Sequence, residues 1–136
     1  MSRDASHHVT ATVATCIDPR FLPVQFRYWT DRYGEGKFEL PSHAGGAKQF
    51  AEEKEHHYGL QNLAIALEKH HAQEIVLVTH EDCAAYGGST TFGNNFKKEL
   101  AHHTEELTKA EKRIRTAFPQ VKVVKIFYTF DGPREV

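Results

Sequence analysis

Residues 74–83 read EIVLVTHEDC: an unbroken apolar run, then a histidine, two carboxylates and a cysteine. A continuous run of this kind is typical of a strand covered on both faces, as in a parallel sheet between helices. Just before it, YGLQNLAIALEKHHA (58–72) carries Leu60, Leu63, Ala64 and Leu67 on one stripe. That spacing predicts an amphipathic helix feeding the strand.

Toward the N-terminus, HVTATVATCID (8–18) alternates β-branched with small residues and predicts a strand running into Cys16. Leu22, Phe26, Trp29 and Tyr33 then fall on one helical face, with Pro23 tolerated in the first turn and Gly34 and Gly36 as the stop. The cluster of Phe26, Tyr28 and Trp29 reads as core packing. KFELPSHAGGA (37–47) predicts a short strand and a glycine loop, tight enough at Gly45 to bring backbone close to a ligand. On the C-terminal side, Phe96, Leu100, Leu107, Ala110 and Ile114 predict a long helix from Asn94 to about Phe118, and VKVVKIFYTF (121–130) a last strand.

Strands alternating with helices imply an α/β fold: a three-layer αβα sandwich around a mostly parallel sheet of about four strands. The 136 residues suit one domain over 1–136. Ligands of such folds bind beyond the carboxyl ends of the strands, where strand order reverses. Cys16 ends the first strand and His80 the third. With the second strand outside the first, strands one and three are neighbours and the two cysteines meet.

Composition narrows the partners. A formal net charge of −1, with 26% charged and 40% hydrophobic residues, offers no basic footprint for nucleic acid or an anionic membrane. No apolar run reaches the ~20 residues of a membrane span. The start, MSRDASHHVT, has no secretory apolar core. The expected address is cytoplasmic, where two reduced cysteines favour metal binding or catalysis over a disulfide. A small-molecule substrate is the expected partner.

His80 and Cys83 stand at chelate spacing. Two thiolates and an imidazole suit tetrahedral Zn²⁺, and three protein ligands leave a fourth position for water or substrate. Asp18 and Arg20 lie two and four residues beyond Cys16. The carboxylate either takes that fourth position or is held off the metal by the guanidinium.

CIDPR (16–20) followed by HEDCA (80–84) resembles the Cys-x-Asp-x-Arg and His-x-x-Cys motifs of the β-class carbonic anhydrases. The order of elements around them is also similar, over roughly residues 9 to 90 and more loosely in the last strand. The resemblance implies that Cys16, His80 and Cys83 bind zinc, and that Asp18 exchanges between zinc and Arg20. It implies a zinc-bound hydroxide that attacks CO₂ to give bicarbonate, and a homodimer or higher homo-oligomer with the last strand along the contact.

The sequence departs from that family at three points: Ser42 and His43 replace a loop arginine and asparagine, and Ala84 a glycine. His43, Gly45 and Ala84 are therefore candidate pocket residues, His43 as a proton shuttle. A relative acting on carbon disulfide or carbonyl sulfide would keep the metal site and change the pocket. A non-catalytic zinc protein for assembly or regulation is a further alternative. A simple Cys16–Cys83 dithiol leaves His80 unexplained.

Glu81 and Asp82 read as hydrogen-bonding neighbours of the site rather than ligands. Eight of the ten histidines form adjacent pairs, at 7–8, 56–57, 70–71 and 102–103. Helical neighbours point about 100° apart, so the helical pairs read as solvated faces.

Overall fold

A computed structural model describes residues 3, 6–52 and 57–136. Strands β1 (Ala11–Ala14), β2 (Phe38–Glu39), β3 (Glu74–His80), β4 (Lys122–Thr129) and β5 (Gly132–Glu135) form one sheet in the order β2-β1-β3-β4-β5. Helices α1 (Leu22–Tyr33), α2 (Lys48–Ala51), α3 (Tyr58–Glu68) and α4 (Phe96–Ala117) connect them. The first four strands pair in parallel and β5 runs antiparallel to β4.

The sheet therefore has five strands, one more than the sequence pattern suggests. The tail after Thr129 hides its strand behind turn residues: Gly132 takes φ 122°, and Pro133 pairs with Tyr128. Proline is tolerated there because an edge strand needs partners on one side only.

All seven residues of β3 are buried, and their alternation builds both cores. Val76 and Val78 pack with Phe21 and Trp29 on the α1 side. Ile75 and Leu77 pack with Phe50, Leu63, Leu107 and Ile114 on the side of α2, α3 and α4. His80 shares the parity of Val76 and Val78, so it points to the α1 side.

Two helices rotate away from their apolar stripes. In α1 the buried line is Gln25 and Trp29, while Phe26 is 55% exposed. The N–H groups of Phe21 and Leu22 both donate to the Asp18 carbonyl, which sets the phase of helix entry. Gln25 then faces inward, where its Oε1 accepts from Thr15 Oγ1 at 2.9 Å and Trp29 Nε1 at 3.3 Å.

In α4 the buried line is Glu99, His103, Leu107, Ala110 and Ile114, and Phe96 is exposed. His103 is thus no part of a solvated face. Its ring stacks on Phe127 at 4.7 Å and meets Tyr86 edge-on at 4.6 Å. His57 caps α3 by accepting from the Leu60 N–H, and His56 lies outside the described residues.

Candidate metal centre

β1 and β3 are neighbours with Ala14 beside Leu77, so their carboxyl ends bring Cys16 and His80 together. Cys16, His80 and Cys83 are all buried, and one ligand atom from each lies within 4.8 Å of the others. Among the described residues this is the one such group.

Each of these side chains has a local reason for its placement. Thr15 bridges to Ser42: its N–H donates to the Pro41 carbonyl at 3.0 Å, and its carbonyl accepts from the His43 N–H at 2.9 Å. This pairing lays the glycine loop over Cys16, where the Gly45 N–H donates to Sγ at 3.4 Å. Gly46 follows with φ 59°, and a Cβ there would collide with the Val78 carbonyl and lie 3.1 Å from the Cys16 nitrogen.

His80 Nδ1 lies 2.7 Å from the Glu81 carbonyl, which accepts its proton and leaves Nε2 as the lone-pair nitrogen. Nε2 is buried without a hydrogen-bond partner among the described residues. The Phe21 ring covers the imidazole at 4.4 Å. Cys83 closes the set at the head of a 3₁₀ turn over Ala84–Tyr86, its carbonyl accepting from Tyr86 and Gly88.

Hydrogen bonding from Cys83, then from His80 and the Gly45 N–H, brings the Cys16 pKa down to about 4 against the cost of burial. Cys83 is pushed up by the Cys16 sulfur and by burial. A sulfur anion, a second sulfur and an orphaned imidazole nitrogen fit Zn²⁺.

The two groups beyond Cys16 sit at the rim. Asp18 Oδ1 accepts the Arg20 N–H at 2.9 Å, an Asx turn that shapes the approach to α1. Its Oδ2 lies 2.7 Å from Arg20 Nη2 and 3.7 Å from His80 Nε2. The guanidinium holds the Asp18 carboxyl below the usual carboxylate range, and Asp18 in turn raises Arg20. Asp82, in a left-handed conformation at φ 56°, accepts from Arg20 Nη1.

Gly45 is thus beside Cys16, and Ala84 is exposed next to Cys83. His43 instead lines a cavity of about 360 Å³ with Ser42, Gln49, Phe50, His57 and Tyr58, a lining that excludes Cys16, His80 and Cys83.

Two groups escape the sequence reading. Glu99, 2% exposed, accepts from the Asp82 N–H at 2.7 Å and the Ser89 hydroxyl at 2.8 Å. Ser89 N–H donates to Asp82 Oδ1 at 2.8 Å. The available signal was that Glu99 and His103 continue the Leu107, Ala110, Ile114 stripe at helical spacing.

Comparison with known proteins places these features. Residues 6–133 match the family described as "Putative carbonic anhydrase". An uncharacterized protein of Rickettsia bellii is 27% identical over 131 residues, covering 93% of this chain and 80% of its own. Among solved structures, a carbonic anhydrase from Streptococcus mutans aligns with TM-score 0.70 at 17% identity, over 100% of this chain and 87% of its own. A β-carbonic anhydrase from Trichomonas vaginalis aligns with TM-score 0.67 at 14% identity, over 100% and 85%.

Proposed function

Because the chain belongs to this carbonic anhydrase family, we propose that it catalyses the reversible hydration of CO₂ to bicarbonate with Zn²⁺ held by Cys16, His80 and Cys83. The observation that carries the reading is the buried Nε2 of His80, unpartnered among the described residues, beside two sulfurs. When bound, Zn²⁺ supplies a Lewis acid that lowers the pKa of water at its fourth position.

The chain's residues do the rest. Asp18 accepts a hydrogen bond from the attacking water through Oδ2 and so orients it. Arg20 grips that carboxylate through Nε and Nη2, which keeps it ionised and would hold it back from a bound ion. The Glu81 carbonyl fixes the His80 tautomer, and Phe21 shuts bulk water away from the ring.

Ile17 and Phe130 are 54% and 58% exposed, and Phe130 stacks against Phe21 and Arg20. This apolar rim supports a homodimer or higher homo-oligomer that covers the mouth of the site. A reducing cytoplasm keeps both thiols available to the metal.

The test is stopped-flow CO₂ hydration by zinc-verified protein from neutral to alkaline pH. Cys83→Ser loses zinc and activity, whereas Asp18→Asn keeps zinc and loses about 10²-fold or more in kcat. Inactive, fully zinc-loaded wild type overturns the proposal. Turnover of carbonyl sulfide or carbon disulfide would then assign a heterocumulene hydrolase, and no turnover a non-catalytic zinc protein.

A further inference from the structure

We propose a second divalent-cation site, formed by His7, His8, His70 and His71, for a transition-metal ion that favours imidazole ligands: Ni²⁺, Cu²⁺ or Zn²⁺. Each pair on its own is two sequence neighbours, but the fold sets one pair against the other. The Val9 N–H donates to the His70 carbonyl at 2.8 Å, and the Gln73 N–H to the Thr10 carbonyl at 2.9 Å. His71 itself adopts a left-handed backbone, φ 57°, at the turn out of α3.

The four rings form one contacting chain, His71–His8–His7–His70. Centroids lie 4.3 Å apart for His8 and His71, 5.4 Å for His7 and His70, and 5.7 Å for His7 and His8. Imidazole nitrogens ~2.1 Å from one metal place ring centroids about 4.5 to 5.2 Å apart, for angles from octahedral to tetrahedral; the three contacts fall on either side of that range, so the rings must turn to share an ion. His7, His8 and His71 are exposed, so their rings are free to turn onto an ion.

His70 is already oriented as a ligand. Its Nδ1 lies 2.6 Å from Glu39 Oε2, the carboxylate–histidine pairing that fixes a tautomer and leaves Nε2 for a metal. The other Glu39 oxygen, Oε1, is buried and unpartnered among the described residues. Desolvation and the like charges of His71 and His7 hold His8 below its ordinary pKa, which favours the neutral, ligating form.

This cluster is separate from the cysteine centre. It precedes β1 and β3, whereas Cys16 and His80 stand at their far ends. The seven residues of β3 put ~20 Å between them. Imidazole, rather than thiolate, donors select borderline dications over alkaline-earth ions.

Equilibrium dialysis of the zinc-loaded full chain against Ni²⁺ at pH 7.5, with zinc measured in the same samples, tests the proposal. The expected result is one nickel per chain with zinc retained. The exposed-residue double variant His8→Asn/His71→Asn weakens nickel binding at least tenfold, Glu39→Gln weakens it severalfold, and His102→Asn leaves it unchanged. Nickel uptake matched by zinc loss, uptake unaltered in the double variant, or no second equivalent would overturn it.

Discussion

Asp82 holds the Nη1/Nη2 edge of the Arg20 guanidinium while Asp18 holds the Nε/Nη2 edge. Asp82 Oδ2 lies 3.0 Å from Nη1, and Asp18 Oδ2 lies 2.7 Å from Nη2. The Asp82 carbonyl adds a contact to Nη2 at 3.0 Å. Arg20 is therefore clamped between the segment that carries Cys16 and the segment that carries Cys83.

The two arms of this clamp differ in burial, and substitutions should separate them. Asp82 and Arg20 are 41% and 46% exposed, so their ion pair is worth ~0–1 kcal/mol. Asp82→Asn should keep full zinc and lower kcat/KM by no more than about fivefold. Arg20→Lys loses the fork that grips Asp18 and should cost about 10²-fold with zinc unchanged. Parallel zinc analysis and stopped-flow assays of both variants check this.

Glu99 anchors the same loop from behind. Glu99→Ala leaves the Asp82 N–H and the Ser89 hydroxyl without their acceptor, at about 1–3 kcal/mol for each group left buried. Urea unfolding of the zinc-loaded protein should show a loss of about 2–5 kcal/mol. Glu99→Gln, which keeps an acceptor oxygen, should recover more than half of it.

His103 makes stability depend on acidity. It is fully buried, and burial brings its pKa from 6.5 down to about 3. The unfolded chain takes up this proton below pH 6.5 while the native state refuses it until about 3. Stability is therefore complete above pH 6.5 and falls between those values by up to ~1.4 kcal/mol per pH unit. Neither ring nitrogen has a partner among the described residues, so His103→Phe keeps the stacking and removes the proton linkage. The gap in unfolding free energy between variant and wild type should widen as pH drops from 7 to 5. A constant gap would refute the burial argument.

Gly46 limits what the loop over Cys16 accepts. Its positive φ and the approach of the Val78 carbonyl exclude any Cβ, and Ala47 N–H donates to that same carbonyl at 2.9 Å. Gly46→Ala should cost at least about 2 kcal/mol in thermal or urea unfolding and lower zinc affinity with it. Gly36→Ala, also at positive φ but with open space around it, should cost about 1 kcal/mol.

Much of this was legible in the chain itself. The EIVLVTH run is typical of a doubly covered strand, and β3 is one. The spacing of His80 and Cys83, with Cys16 at another strand end, pointed to the metal centre because ligand chemistry needs few residues of fixed type. The same local logic failed for α1 and α4. Phe26 is more hydrophobic than Gln25, yet Gln25 is inside, because Thr15 and Trp29 meet its carbonyl oxygen there.

The alternation of the main strands and helices, the mostly parallel sheet and the choice of Cys16, His80 and Cys83 were legible in the sequence by itself, through periodicity, residue chemistry and the family resemblance, whereas the short α2 was not. Other features belong to the tertiary structure alone: the burial of His103 and Glu99, the second aspartate on Arg20, the fifth strand and the meeting of two histidine pairs. They depend on contacts between segments distant in the chain, and one-dimensional patterns do not encode the rotation of a helix or the facing of two loops. Residues 8 and 71 become neighbours only when the chain start zips onto the end of α3.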